Sequence, residues 1–317
     1  MASTRAGLLS SIRFSVVIPA FNAARTIESS IRSVLGQTRQ DLEVIVVDDG
    51  STDGTVENVR RFENDQRIRV LRQSNRGPAA ARNAGIAAAR GQYLSMLDAD
   101  DLWLPEYLDV MATTLEANPD APFGYTDAWV LDDESGRVRR TSAMAYQRPP
   151  RTALDGRTFF LRLLLHNFVY TSTTLHRSVL DEVGVYDETL STGEDWDLWL
   201  RIARRGTPPV RAPGLLAIHR NHPSSLATDT RTMIANICEV YRRFAEDQAE
   251  DHEVRALASG QLDYWTRRLR GLEEPTPRVR VRSRLGAIKR RVLNRWLWPG
   301  RRPDPVERTL RLVGELE

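Results

Sequence analysis

The sequence is poor in residues that several common kinds of site require. Cys238 is its only cysteine, so the chain can form neither an internal disulfide nor a cysteine-rich zinc site. Lys289 is its only lysine, which excludes the phosphate-binding loop that ends in Gly-Lys-Ser/Thr. The longest apolar run, about residues 14–21, is far shorter than the roughly 20 residues of a bilayer-spanning helix. The polar stretch before it does not resemble a secretory signal, so we expect a cytoplasmic protein.

The composition is that of an ordinary globular protein, but the charge is unevenly distributed. Of 317 residues, 41% are hydrophobic and 27% are charged, with a formal net charge of +3. Residues 267–302 include thirteen basic and two acidic side chains, so the remainder of the chain is acidic. An acidic body argues against nucleic-acid binding. The basic segment is a candidate for contact with an anionic membrane surface or an acidic partner.

Apolar runs alternate with helical patterns in the first half of the chain. This alternation predicts an α/β fold with a mixed, mainly parallel sheet flanked by helices. The predicted strands cover residues 14–19, 43–47, 68–71, 93–97, 123–131, 171–175 and 210–218. From about residue 228 the pattern is purely helical, so we expect a sheet domain over 1–226 and a helical C-terminal region over 227–317. Within the latter, residues 281–296 have the spacing of a basic amphipathic helix, which would lie on a membrane or pack on its own domain.

Three carboxylates directly follow a buried strand, in the acidic turn formed by Asp98, Ala99, Asp100 and Asp101. The carboxyl edge of such a sheet is where a ligand crevice opens. Crowded carboxylates repel one another unless a cation is present, and Mg²⁺ or Mn²⁺ bound to carboxylates commonly also binds phosphate oxygens. The acidic turn therefore predicts a metal-diphosphate site. The alternative is a turn that caps a helix beginning near Leu102.

A second acidic loop, with Asp48, Asp49 and Gly50, ends another predicted strand. Its carboxylates can accept hydrogen bonds from a ribose hydroxyl or a base N–H, and the glycine permits a tight turn. The alternative is an Asx turn that caps the next helix.

The acidic pair Glu194-Asp195 follows Gly193 at the start of a helix whose apolar face carries tryptophans. Residues 192–195 fit a capping box with no catalytic role. A carboxylate near a helix N-terminus also stays ionised at neutral pH, as a base that awaits an alcohol proton must. Both interpretations remain open at this point.

Two further segments carry cationic side chains. His219, Arg220 and His222 follow a predicted strand and could meet a metal or a diphosphate, although single histidines are more often structural. Arg76 and Arg82 lie in a loop that leads into a helix, where they could face phosphate or simply begin the helix.

In this order, the motifs resemble the family 2 inverting glycosyltransferases, which have the GT-A fold. The likeness covers roughly residues 14–226. The matching segments are residues 16–22, 33–38, 46–54, 81–83 and 98–101.

The resemblance implies a role for each matching residue. Asp195 would be the catalytic base, with Glu194 positioning the acceptor or a loop. Asp100 would be a metal ligand, with His222 reaching the metal or diphosphate. Many members have a tyrosine where this chain has His219. The donor would contact Pro19, Ala20, Phe21, Asp49, Arg82, Asp98 and Ala99.

The resemblance also implies a function. It is metal-dependent transfer of a hexosyl or deoxyhexosyl group, with Mn²⁺ or Mg²⁺, from a nucleotide sugar, most often a UDP sugar. The acceptor would be a glycan or lipid-linked hydroxyl in cell-envelope polysaccharide assembly, at the inner face of the plasma membrane. The alternatives are a phosphatase with an Asp-X-Asp nucleophile and a non-catalytic nucleotide-sugar-binding scaffold.

Overall fold

A computed structural model describes residues 12–139, 142–147, 153–169, 172–222, 229–273 and 304–315. The strands in these ranges are β1 (Phe14–Ala20), β2 (Leu42–Asp48), β3 (Ile68–Arg72), β4 (Tyr93–Met96), β5 (Leu102–Trp103), β6 (Phe123–Asp132), β7 (Arg137–Val138), β8 (Thr173–His176) and β9 (Val210–Asn221). The α-helices there are α1 (Ile27–Leu35), α2 (Thr55–Arg60), α3 (Pro78–Ala88), α4 (Tyr107–Glu116), α5 (Gly156–Leu165), α6 (Arg177–Val183), α7 (Glu194–Ala203), α8 (Thr230–Glu246), α9 (His252–Glu273) and α10 (Asp304–Leu312). A short 3₁₀ helix covers Ala143–Gln147.

The strands form one mixed sheet in the order β3-β2-β1-β4-β8-β6-β9-β5, with β7 paired to β6. Strands β3, β2, β1 and β4 are mutually parallel, and β6 is parallel to β9, whereas β8 and β5 run antiparallel to their neighbours. The carboxyl ends of β1, β2 and β4 therefore meet at one edge of the sheet. The predicted α/β fold with a mixed sheet is confirmed.

Helices cover both faces of the sheet because its central strands are apolar on both sides. Every residue of β2 is buried. On one face, α1 buries Ile27, Ile31 and Val34, which recur at helical spacing, together with α4. On the other face, α3, α5 and α7 pack in a second cluster.

The C-terminal helices pack on this framework at two places. In α8, Tyr241 donates a hydrogen bond to the carbonyl oxygen of Leu164 at 2.8 Å, and the ring of Phe244 lies 5.7 Å from that of Phe160. Helix α10 instead packs against β5 and β9. The predicted domain boundary at 226/227 and the predicted amphipathic helix at 281–296 both lie outside the described residues. Among the residues that are described, no helix is long and apolar enough to cross a membrane.

The predicted strands are all present, with ends that differ by three residues or fewer. Three elements were not predicted: β5, α6 and the short 3₁₀ helix. Strand β5 has only two residues, too few for a periodic pattern, and it is held by pairing of Leu102 with Ile218 and of Trp103 with Ala217.

Candidate active site

The acidic turn is a compact cluster of carboxylates. One oxygen from each of Asp98, Asp100 and Asp101 lies within 4.8 Å of the others. Ser30, which is buried on α1, donates hydrogen bonds of 2.8 Å to the backbone carbonyl oxygens of Ala99 and Asp101. The turn leads into strand β5, so the alternative interpretation as a helix cap is wrong.

Two histidines from the end of β9 face this turn. The Nε2 atom of His222 lies 2.8 Å from Oδ2 of Asp100. The Nδ1 atom of His219 lies 3.1 Å from both carboxylate oxygens of Asp101. The structure therefore brings the predicted metal ligands Asp100 and His222 together, and it adds an Asp101–His219 pair that the sequence interpretation did not assign.

The carboxylates of the acidic turn give this region an excess of negative charge, which raises the pKa values of its neighbours. Burial, with the charges of Asp101 and Asp98, raises the pKa of Asp100 to about 6. The Asp101 carboxylate raises the pKa of His219 to about 9. Carboxylate oxygens are the donors that Mg²⁺ and Mn²⁺ prefer, so the residues fit the predicted cation.

Arg82 connects the acidic turn to the acidic pair. Its buried guanidinium donates from Nη2 to Oδ1 of Asp98 at 2.6 Å and from Nη1 to Oε1 of Glu194. Its Cζ atom lies 5.5 Å from the centre of the Tyr186 ring. Within the described part of the chain, Nε of Arg82 has no hydrogen-bond partner. Two acidic groups that are distant in sequence thus lie on either side of one cation.

The acidic pair begins helix α7, but not in a capping box. Gly193 is the N-cap residue, with a φ of 76° in the left-handed region that favours glycine, and no side chain caps the helix. The hydroxyl of Thr192 instead accepts a hydrogen bond from Nδ2 of Asn236 at 3.0 Å. The capping-box alternative is therefore wrong, and Asp195 is the second residue of the helix.

The protonation of Asp195 also differs from the expectation of a firmly ionised carboxylate. Burial and the neighbouring Glu194 raise its pKa to about 7, although Arg82 acts in the opposite direction. Its Oδ1 accepts a hydrogen bond from the backbone N–H of Trp196 at 2.6 Å. A prediction from helix position alone gives Asp195 too low a pKa, because it neglects the burial of this side chain and the negative charge of Glu194.

In the second acidic loop the two aspartates bind different parts of the backbone. Asp48 closes the Asx turn, since its Oδ1 accepts from the backbone N–H of Ser51 at 3.2 Å, but it does not cap the next helix, α2, whose N-cap residue is Gly54. Asp49 accepts from Nε2 of Gln73 at 2.8 Å and from the N–H groups of Arg76 and Gly77 at 2.9 and 2.8 Å. Asp49 therefore holds the loop over 73–77 beside the sheet edge.

A close approach explains the glycine in this loop. Gly50 has a φ of 77°, and a Cβ atom there would lie 2.8 Å from the backbone nitrogen of Asn75. At the neighbouring strand end, Phe21 remains 49% exposed, whereas Ala20 is buried and its carbonyl oxygen accepts from the N–H of Asp49 at 2.8 Å. The aromatic ring at the end of β1 is thus open to a planar ligand.

These observations define an α/β protein with an acidic turn, two histidines and an acidic pair at the carboxyl edge of its sheet. The sequence model of the family described as Glycosyl transferase family 2 matches residues 15–184 of this chain. The chain belongs to that family, and the phosphatase alternative is therefore wrong.

Two curated relatives illustrate the range of similarity. An uncharacterized glycosyltransferase of Rickettsia bellii is 30% identical over 198 residues, which are 62% of this chain and 27% of that protein. The succinoglycan biosynthesis protein ExoO of Rhizobium meliloti is 31% identical over 288 residues, which are 86% of this chain and 79% of that protein. The chain thus spans less than a third of the length of the first relative and most of the second.

Solved structures share the fold. TarS of S. aureus, in a complex with UDP-GlcNAc, superposes with a TM-score of 0.61 at 17% identity, over 81% of this chain and 72% of that one. The mannosyltransferase PcManGT from Pyrobaculum calidifontis, in a complex with GDP-Man and Mn²⁺, gives 0.58 at 20% identity, over 80% and 69%. Both likenesses support the GT-A fold.

Proposed function

We propose that this chain is an inverting glycosyltransferase that moves a sugar from a nucleoside-diphosphate sugar to an acceptor hydroxyl. The observation that carries the proposal is the bridge through Arg82, which joins Asp98 of the acidic turn to Glu194 of the acidic pair. A carboxylate cluster suited to a diphosphate and its cation is thereby connected to a carboxylate suited to remove a proton. A single displacement requires these two functions on opposite sides of the reacting carbon.

The donor would lie along the ends of β1, β2 and β4. The exposed ring of Phe21 is available to stack on a base. A carboxylate has about four acceptor positions, and three protein donors to Asp49 leave room for a base or ribose hydrogen bond. The donor-binding set that we propose is Pro19, Ala20, Phe21, Asp49, Arg82, Asp98 and Ala99.

A UDP sugar is the donor that we favour. TarS was crystallised with UDP-GlcNAc, whereas PcManGT was crystallised with GDP-Man. The choice of UDP rests on the family resemblance of the motifs.

The cation would be Mn²⁺ or Mg²⁺, held by the carboxylates of the acidic turn and by His222. When bound, such an ion offsets the negative charge that develops on a departing nucleoside diphosphate. The complex of PcManGT with Mn²⁺ supports this proposal. Within the chain, Arg82 is already engaged by Asp98 and Glu194, so we propose that it holds these carboxylates in place beside the diphosphate.

Asp195 would be the base that removes the acceptor's proton. Its pKa of about 7 suits this role, because a general base works best when its pKa lies near the operating pH. Glu194, held by Arg82, would fix the start of α7 and the position of Asp195. Attack from the face opposite the diphosphate would invert the anomeric centre, so an α-linked donor would give a β-linked product.

The acceptor would be a glycan or lipid-linked hydroxyl in polysaccharide assembly, since ExoO is named for succinoglycan biosynthesis. We further propose a cytoplasmic location at the inner face of the plasma membrane, because residues 267–302 carry a strong excess of positive charge. Pelleting with liposomes that contain anionic lipid, with neutral liposomes as the control, tests this part. Equal pelleting with both contradicts it.

A thermal-shift panel tests the core of the proposal. UDP, dTDP and GDP are each added with and without Mn²⁺ or Mg²⁺, because a ligand that binds only the folded protein raises its Tm. At about a hundredfold excess over Kd, one diphosphate together with a cation should raise the Tm by about 5 to 10 °C. Transfer from the matching nucleotide sugar then distinguishes an enzyme from a scaffold. No shift with any nucleotide contradicts the proposed function.

A further inference from the structure

Helix α10 packs against the two strands that carry the acidic turn and its histidines. Val306 and Leu310 of this helix, and Val313 directly after it, are at most 4% exposed. They share one apolar cluster with Leu102, Leu104, Leu131, Val138 and Ile218. Strand β5 begins directly after the acidic turn, and its pairing with β9 ends beside His219. The helix therefore covers the paired strands β5 and β9, and this pairing sets the position of the acidic turn relative to the histidines.

An ion pair joins the turn after this helix to the same region. Glu315 accepts a hydrogen bond through Oε1 from Nη2 of Arg220, whose side chain is only 4% exposed. The same guanidinium lies 3.3 Å from Oγ of Ser29, and its Nη1 lies 3.4 Å from Oδ1 of Asp133. Asp133 is itself shared, because it also pairs with Arg25 at 2.7 Å. Glu315 is thus the close carboxylate partner of a buried cation.

Arg220 is in direct contact with the acidic turn. Its backbone N–H donates to Oδ1 of Asp101 at 3.0 Å. It lies between His219, which pairs with Asp101, and His222, which pairs with Asp100. A movement of the Arg220 backbone therefore moves both histidines and a carboxylate of the cluster.

We propose that Glu315 is a positioning residue for the cation-binding end of the site, because it fixes and neutralises Arg220 from the turn that follows helix α10. The inference rests on the proposed function, since it takes the acidic turn to bind a divalent cation. It adds a residue far from the acidic turn in sequence, and it gives the turn after α10 a role in cation binding.

Two physical effects connect Glu315 to cation affinity. Without Glu315, a buried guanidinium lacks its close counter-charge and is drawn toward the remaining carboxylates, as a buried cation must be paired. Its displacement shifts the backbone that holds Asp101 and the histidines. Its unneutralised charge also opposes a cation at the acidic turn. Losing a group that orients metal ligands typically weakens metal affinity by about 10- to 100-fold.

The test is a titration of the full-length protein with Mn²⁺ alone, in which electron paramagnetic resonance measures free Mn²⁺. Glu315→Ala is compared with wild type and with Arg308→Ala. The control removes an exposed ion pair of helix α10, between Arg308 and Glu106 at 3.3 Å. Should Glu315→Ala unfold at the assay temperature, Glu315→Gln takes its place, because it keeps an acceptor and loses only the charge.

We expect Glu315→Ala to raise the Kd for Mn²⁺ by about 10-fold or more, with Arg308→Ala within twofold of wild type. The isosteric Glu315→Gln should have an intermediate Kd. Wild-type affinity in a folded Glu315 variant overturns this inference alone. A wild-type protein that binds no Mn²⁺ overturns both the inference and the proposed cation site, so the two failures are distinguishable.

Discussion

The acidic turn and the acidic pair both consist of neighbouring carboxylates, but the cationic side chains around them differ. Each places carboxylates side by side in partly or fully buried positions, and in each one carboxylate has a raised pKa, about 6 for Asp100 and about 7 for Asp195. The turn faces two imidazoles, His219 and His222. The pair faces the guanidinium of Arg82, which also bonds Asp98 of the turn and titrates far above neutral pH.

Because their surroundings differ, the two groups of carboxylates are suited to different functions. The turn keeps three carboxylates close together as metal donors, so a divalent cation relieves their repulsion. At the pair, Arg82 engages Glu194, and Asp195 can relieve repulsion only by taking up a proton. One cluster is therefore suited to a cation and the other to proton transfer.

The largest expected effect is that of Asp195→Asn. An amide cannot accept the acceptor's proton, so turnover should fall by about 10²- to 10⁴-fold. Nucleotide affinity with Mn²⁺ should remain within about twofold, because Asp100 and its neighbours are unchanged. Single-turnover transfer kinetics and a nucleotide titration measure the two quantities. Full turnover in this variant would show that Asp195 is not the base.

Asp100→Asn should weaken metal binding, which Asp195→Asn leaves unchanged. Removing a charged ligand should weaken Mn²⁺ binding by at least about 10-fold, the lower bound for loss of groups that merely orient ligands. The thermal shift produced by nucleotide should then no longer depend on Mn²⁺. Asp120→Asn is the matched control, since it removes an exposed charge before β6 at the opposite edge of the sheet. Metal affinity equal to that of the control would contradict the assignment of the turn.

The smallest expected effect is on the pH dependence of the free energy of unfolding, measured without metal. Asp100 and Asp195 have raised pKa values in the folded state, so the folded protein binds more protons than the unfolded chain between about pH 4 and 7. Their contribution to the free energy of unfolding therefore falls as pH rises through this window. With allowance for exposure to water, each should contribute about 1 to 2 kcal/mol.

Urea unfolding at pH 5 and pH 8 measures this contribution. Each Asp→Asn variant should lose less stability than wild type between the two pH values. Saturating Mn²⁺ should restore the stability lost at Asp100 but not at Asp195. Identical responses of the two sites to Mn²⁺ would remove the distinction drawn above.

Much of the proposed donor side could be predicted from sequence because its determinants are local. Each parallel strand from β1 to β4 is a short apolar run, and the polar residues that follow it, such as Asp49 and Asp98, necessarily lie at the carboxyl edge. The Asx turn at Asp48 was likewise weighed as an alternative. These features depend on neighbours within a few positions.

The remainder depends on contacts between distant residues. The bridge from Arg82 to Glu194 spans 112 positions, and the pair of His219 with Asp101 spans 118. No local pattern identifies such partners, and the raised pKa of Asp195 follows from burial that only the folded chain produces. Strand β5 has two residues and exists because β9 pairs with it.

The contact between Arg220 and Glu315 sets an order of events during synthesis. The two residues are separated by 95 positions. At a translation rate of about 5 to 20 residues per second, Glu315 is made about 5 to 20 seconds after Arg220. During that interval the guanidinium of Arg220 lacks this counter-charge. Under the proposed role of Glu315, the nascent chain would therefore reach its full affinity for a cation only after Glu315 has been made.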